Sequence, residues 1–189
     1  MSYQLFNSSG KEVQQHDLQD KPAWCEVGED LELAFLKVFG VKFDLKLNEE
    51  KETKPTAPDF KHNGTGRYVD LKTQNTPFFN AAKYSVDPQY AVTFNAIDLE
   101  RYSSLYPSII VIFHVSWEAT KIIFSNGKKI EVLPMSGIWA ASIQTIEKNC
   151  NTKNYHQYQQ RLSDKKGNAK GSYVLDLNKG YLQQKHREL

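Results

Sequence analysis

The chain has 189 residues, 40% of them hydrophobic and 24% charged, with a formal net charge of +2. That balance suits one soluble globular domain long enough to bury a core, and it excludes a disordered or fibrous polypeptide. Two cysteines, Cys25 and Cys150, rule out a disulfide framework and a cysteine-rich zinc site.

The longest apolar run, SIIVIFHV at 108–115, is too short to cross a bilayer, and the polar start MSYQLFNSSGKEVQQHDLQDK lacks a signal-peptide core. A reducing cytoplasm and no membrane partner are therefore expected. Charge is uneven: residues 1–60 hold 7 Lys/Arg against 12 Asp/Glu, and residues 151–189 hold 8 against 3. The basic C-terminal end suits a polyanionic partner, although lysine-rich segments are commonly just solvated surface.

In chain order, residues 1–24 show no sustained periodicity and read as a loose lead-in. VGEDLELAFLKVFG predicts a helix with Leu31, Ala34, Phe35 and Val38 on its apolar face, Glu29 and Asp30 in its first turn and Gly40 at its stop. VKFDLKL (41–47) alternates strictly and predicts a strand with Val41, Phe43, Leu45 and Leu47 on one face. NEEKETKPTA reads as a charged loop. From Asp59 to Gln74 two short strands are expected across HNGTG, with Asn63-Gly64 supplying the positive φ of the turn.

A loop carrying Pro77 and Pro88 then precedes a strand YAVTF and a helix AIDLERYSSLY stopped by Pro107. SIIVIFHV is continuously apolar and β-branched, as in a central strand covered on both faces. A hairpin turning at Asn126-Gly127 follows, then a helix SGIWAASIQTIEKNC N-capped by Ser136. A partly helical YHQYQQRL, a loop DKKGNAKGS, a strand YVLDL and a final short helix complete the reading. No repeat or domain boundary is evident, so one α/β domain is predicted.

The chemistry concentrates in YVDLKTQ. Side chains alternate along a strand, so Asp70, Lys72 and Gln74 share one face while Val69, Leu71 and Thr73 share the other. Asp59 opens the preceding strand after Pro58, and a hairpin between the two strands brings Asp59 and Asp70 together. Two carboxylates and the Leu71 carbonyl are hard oxygen ligands of the kind Mg²⁺ prefers, with Mn²⁺ as its substitute. Lys72 beside them would orient a water or stabilise a pentacovalent phosphate. Taken singly, each residue has a plainer reading: Asp70 and Lys72 as the solvated face of an edge strand, Asp59 as a turn residue, Glu29 and Glu32 as surface charges, Gln74 as an exposed strand glutamine. Asp44-Leu45-Lys46 repeats the acid-x-Lys pattern without a Pro-Asp partner upstream.

Pro58-Asp59 followed after ten residues by Asp70-Leu71-Lys72 resembles the Pro-Asp…(Asp/Glu)-x-Lys signature of the PD-(D/E)XK nuclease superfamily, which includes many type II restriction enzymes, archaeal Holliday junction resolvases and several repair and phage nucleases. The resemblance covers roughly residues 27–115. It implies a restriction-endonuclease-like αβββαβ core, a central mixed sheet flanked by helices, with a C-terminal α+β extension. One domain of 1–189 follows, its core at about 27–133 and its basic extension at 134–189.

The resemblance further implies a Mg²⁺-dependent nuclease, first of all a DNA endonuclease. Asp59, Asp70, the Leu71 carbonyl and a helix acid would hold metal, and Lys72 would be catalytic. Glu29 is favoured as the helix acid by its spacing to Gly40; Glu32 is the alternative, and Gln74 joins by parity. Arg67, Lys83, Lys165, Lys166 and Lys170 are the candidate phosphate contacts. Lys153, Arg161, Tyr155 and Tyr158 accompany them. RNA as substrate and a non-catalytic nucleic-acid-binding role remain alternatives, and cleavage of both strands by so small a chain would use a homodimer.

Overall fold

A computed structural model describes residues 3–13, 21–158 and 171–188, excluding the side chains of 21–29, 187 and 188. Strands β1 (Tyr3–Phe6) and β2 (Glu12–Val13) precede helix α1 (Lys21–Phe39). Strands β3 (Leu45–Leu47), β4 (Phe60–His62) and β5 (Tyr68–Gln74) follow, then β6 (Ala91–Asn95), α2 (Ala96–Leu105) and β7 (Ile110–Ser116). A hairpin of β8 (Lys121–Phe124) and β9 (Lys129–Glu131) leads to β10 (Ser136–Ser142) and α3 (Ile143–Asn149). Strands β11 (Tyr155–Gln157), β12 (Gly171–Asp176) and β13 (Gln183–Glu188) complete the described chain.

The fold is α/β, built on a six-stranded mixed sheet in the order β13-β10-β7-β5-β4-β3. Within it β5 and β7 run parallel, joined through β6 and α2, while the other neighbours are antiparallel. The segment read as a C-terminal extension thus supplies two strands of the central sheet. Smaller sheets, β2-β1-β8-β9 and β11-β12-β6, lie beside it.

Both faces of the central sheet are covered. On one, Phe35 and Phe39 of α1 pack on Leu45, Phe60, Val69, Leu71, Ile112, Ile138 and Ala140. Phe35 and Phe60 stack at 6.1 Å, and burying each such ring contributes about 2–3 kcal/mol. On the other, Val111, Phe113 and Val115 join Phe94, Leu99, Tyr102, Ile143 and Leu175 in the larger core. β7, flanked by β5 and β10, is the doubly covered central strand its composition predicts.

Several expectations are corrected. The lead-in contains β1, β2 and the first turns of α1, because Tyr3–Phe6 pairs with the distant β8. The buried stripe of α1 is Phe35 and Phe39; Leu31, Ala34 and Val38 are exposed. The strand expected over 41–47 shrinks to Leu45–Leu47, since the helix end continues into a turn (Phe43 N–H to Phe39 O, 3.0 Å) and Asp44 adopts φ +53°. Val41 is accordingly 98% exposed. The turn after β4 takes its positive φ at Gly66 (+66°) and not at Asn63 or Gly64, which Asp44 clamps through its carboxylate.

SGIWAAS is strand β10, paired on both sides, and the following helix is capped by Ser142 rather than Ser136. Tyr155–Gln157 and Gln183–Glu188 are strands where helix was expected, the first paired with β12 and the second recruited by the distant β10. The turn at Gly127 (φ +80°) and the α2 helix lie where they were expected.

Candidate active site

The parity of β5 organises the site. Asp70, Lys72 and Gln74 align with Val111, Phe113 and Val115 of β7, so they face the larger core and not open solvent. Asp70 is 2% exposed, which removes the solvated-edge reading for it.

Strand β4 pairs with β5 at Lys61↔Tyr68 and Phe60↔Val69. One step further along that register, Asp59 stands opposite Asp70. There the backbone ladder ends, and the Asp59 carboxylate takes the place of a strand: Oδ2 accepts the Leu71 N–H at 2.8 Å. A strand residue turns its N–H and C=O to the same edge, so the Leu71 carbonyl shares the edge that Asp59 occupies. The sequence fits this geometry because Pro58 cannot donate to a ladder and its carbonyl is instead held by the buried Asn48 amide at 2.8 Å.

Two ammonium groups bind the acids together. Lys51, in the short 3₁₀ turn Glu49–Glu52, lies 2.5 Å from Glu32 Oε2 and 2.6 Å from Asp59 Oδ1. Burial pulls its pKa down, but the hydrogen bonds to Asp59 and Glu32 outweigh that and raise it. Burial and the Glu32 charge push the Asp59 carboxyl up, against Lys51 and the Leu71 amide. Lys72 Nζ lies 2.8 Å from both Asp70 Oδ2 and Asp98 Oδ2, and 5.5 Å from the Tyr102 ring centroid. Asp70 and Asp98 outweigh the burial of Lys72 and hold its pKa well above the ordinary lysine value.

Asp70 Oδ1 accepts the Tyr102 hydroxyl at 2.5 Å. Its Oδ2, ion-paired with Lys72, accepts no aligned hydrogen bond among the described residues. Burial pushes the Asp70 carboxyl up to about 6; Lys72 opposes this and the Asp59 charge adds to it. Asp98 is also gripped by Arg101, at 2.6 Å. Asp98 and Tyr102 were missed by sequence reasoning, although their i, i+4 spacing puts them on one face of α2. Lys51 was missed as well, hidden in a run of charges that read as loop.

The remaining predicted residues sort clearly. Glu32 supplies the helix acid seen in the cluster, while the Glu29 side chain lies outside the described residues. Gln74 leaves the acid cluster and mimics a strand: Nε2 donates to Thr93 O at 2.8 Å and Oε1 accepts the Thr93 N–H at 3.2 Å. It thereby ties β5 to β6. Gln74→Ala is expected to lower stability by about 1–2 kcal/mol in urea unfolding, because both backbone groups of half-buried Thr93 lose their partner; an unchanged midpoint would remove this role. Arg67 is exposed at the start of β5. Lys83 is exposed on the turn Ala81–Tyr84, where its charge adds to burial in lowering the pKa of His156. Tyr155 and Tyr158 are partly exposed around β11, and Lys153 lies in the exposed turn before it. Arg161, Lys165, Lys166 and Lys170 lie outside the described residues.

The donor set suits a hard divalent cation: carboxylates from Asp59, Asp70 and Glu32, the Leu71 carbonyl, and a buried Asp70 oxygen without an aligned donor. Among the described residues, no three His, Cys, Asp or Glu side chains are gathered tightly enough to hold a metal. The inter-carboxylate positions are taken by Lys51 and Lys72. No helix among the described residues is long and apolar enough to cross a membrane. Comparison with protein-family models, curated proteins and solved structures finds no match for the chain.

Proposed function

We propose that this chain is a divalent-cation-dependent nuclease that hydrolyses phosphodiester bonds, with DNA as the first substrate and internal cleavage as the first mode. The observation that carries the reading is the Asp59 carboxylate seated on the Leu71 amide, one register step across from buried Asp70, with Lys72 on the Asp70 face. Helices α1 and α2 with the central-sheet strands run α1-β3-β4-β5-α2-β7, β6 of a smaller sheet being inserted before α2, and this order with β5 and β7 parallel supports a restriction-endonuclease-like core.

Asp59, Asp70 and the Leu71 carbonyl would hold Mg²⁺, joined by Glu32 once Lys51 leaves the gap between Glu32 and Asp59, and the bound ion would lower the pKa of its water and polarise the phosphate. Lys72 stays protonated across the working pH range, so it acts as a fixed cation and not as a base. Its charge stabilises the extra negative charge that develops on phosphate oxygens during in-line attack. Asp98 and Asp70 fix where that ammonium stands, and Tyr102 fixes the rotamer of Asp70. Cleavage of both duplex strands would use two copies.

Lys72→Ala is expected to reduce Mg²⁺-dependent nicking of supercoiled DNA by about 10²–10³-fold with the fold intact by circular dichroism. Full activity in that variant would sink the assignment; linear, single-stranded and four-way-junction DNA, with RNA alongside, define the substrate. One observation favours a second reading, a non-catalytic nucleic-acid-binding module: the lysines satisfy the acids without a metal. Absence of Mn²⁺ binding in calorimetry would select it.

A further inference from the structure

A cavity of about 860 Å³ opens on the α1 side of the central sheet, bounded by the turn that follows α1 and lying away from the Asp70 face. Its size is that of a small-ligand pocket. The floor is aliphatic and spans three adjacent strands: half-buried Ile110 of β7 is its open part, Val69 of β5, Ile112 of β7 and Ala140 of β10 show only a margin, and Ile138 of β10 lies fully covered beneath them.

Cations from three separate elements stand at its mouth. Lys42 follows α1, Arg67 precedes β5 and Lys185 lies on β13, and all three are exposed. None makes an ion pair among the described residues. Lys42 Nζ meets an imidazole, His186 Nδ1, at 2.9 Å, and Lys185 meets the Gln183 amide oxygen at 2.6 Å. The acid on the wall, Asp44, has Oδ1 engaged by Asn63 and Oδ2 by the Gly64 N–H. The mouth thus carries three cations against one carboxylate, Asp44, which the Asn63 and Gly64 hydrogen bonds keep ionised.

We propose that this cavity seats an unpaired nucleotide of a single nucleic-acid strand, the base lying on the aliphatic floor and the phosphates held by Arg67, Lys42 and Lys185. A fatty acid or other single-headed anion would use one cation; three cations on separate elements match successive phosphates. The partly open Ile110 and the aliphatic margin around it suit one face of a planar ring, and Thr65, Tyr181 and Gln183 on the walls offer hydrogen bonds to its edge. A base stacked within a duplex cannot present its face in this way, whereas an unstacked one can. Arg67 lies three residues before Asp70, about 10 Å along β5, but on the opposite face of the sheet, so this pocket and the acids are separate places on one molecule. This inference rests on the nuclease reading for its choice of ligand, but its test does not need cleavage.

The test is fluorescence anisotropy with a short dye-labelled single strand and with the blunt duplex of the same length, both in EDTA. The strand is expected to bind at least tenfold more tightly than the duplex. Arg67→Ala combined with Lys185→Ala should weaken strand binding at least tenfold and reduce its logarithmic salt slope by about 1.4. Ala140→Phe, which fills the floor, should remove the preference for strand over duplex; the two surface substitutions keep the test valid if that variant does not fold. Equal affinity for strand and duplex, or unchanged strand affinity in the Arg67/Lys185 variant, overturns the proposal. Variant-sensitive strand binding in a protein that cleaves nothing with Mg²⁺ would refute the nuclease and keep the pocket. Normal cleavage with variant-insensitive binding would do the reverse.

Discussion

Asp70→Asn is expected to abolish divalent-dependent cleavage and, at the same time, to make the metal-free protein more stable at neutral pH. The first effect follows from removing a carboxylate from the proposed metal ligands, and a drop to background in the nicking assay is the expected reading. The second follows from burial. The Asp70 carboxyl titrates near 6 in the folded protein against an ordinary 3.8, chiefly because burial penalises its charged form. A native group that holds its proton more tightly than the unfolded one contributes stability below about pH 4, and that contribution is lost as pH rises through about 6. At pH 7 the buried charge costs roughly 3 kcal/mol. Asparagine still accepts the Tyr102 hydroxyl but carries no charge, and Lys72 keeps Asp98.

Urea unfolding at pH 7 should therefore show Asp70→Asn more stable than wild type by about 2–3 kcal/mol, with the advantage fading towards pH 4. An advantage that grows as pH falls, or a variant that is less stable at pH 7, would contradict the burial argument. Wild-type cleavage rates would contradict the function. The two readouts are independent, so a destabilised but active variant and a stabilised but dead one point to different errors. A residue that weakens the fold it sits in is what a functional site looks like when function, and not stability, retains the side chain.

The site was legible wherever local rules dominate. Alternation along β5 placed Asp70 and Lys72 on one face because a strand without a bulge has a side-chain period of two, and β5 pairs with β7 in unbroken register. The hairpin spacing placed Asp59 across from Asp70 even though the turn is closed by Gly66 and not by Asn63-Gly64: the loop length sets the register, and the conformation inside it does not.

What escaped reading was decided at long range. SGIWAAS has small residues and helical spacing, and only the flanking β7 and β13 make it a strand. Gln74 shares the parity of the acids, but Thr93, nineteen residues away, captures its amide. Lys51 sits among Glu49, Glu50, Glu52 and Lys54, where nothing local marks it out. Its importance appears only when α1 and β4 bring Glu32 and Asp59 to either side of it. Tyr102 and Asp98 lie on a helix that packs on α3, β6 and β12, and only that packing brings them to Asp70 and Lys72.

Lys51→Met carries the second large effect, and it separates a structural ion pair from a displaceable counter-ion. Methionine keeps most of the apolar stem and removes the ammonium. Glu32 and Asp59 then face each other uncompensated, in surroundings where burial and the Glu32 charge already push the Asp59 carboxyl up. The metal-free variant is expected to lose about 2 kcal/mol, several degrees in melting temperature for a chain of this size. In wild type, Lys51 must leave the gap between the two carboxylates before a divalent cation can enter, and its attraction to both opposes entry. In the variant nothing has to leave. Mn²⁺ affinity should therefore rise tenfold or more, each tenfold adding about 1.4 kcal/mol of stabilisation at saturation. Thermal unfolding with and without Mn²⁺, alongside calorimetry, reads both quantities: a lower melting temperature without metal and a larger upward shift with it. A Mn²⁺-induced shift no larger than that of wild type would make Lys51 a fixed part of the architecture, with the carboxylates serving the lysine and not a metal.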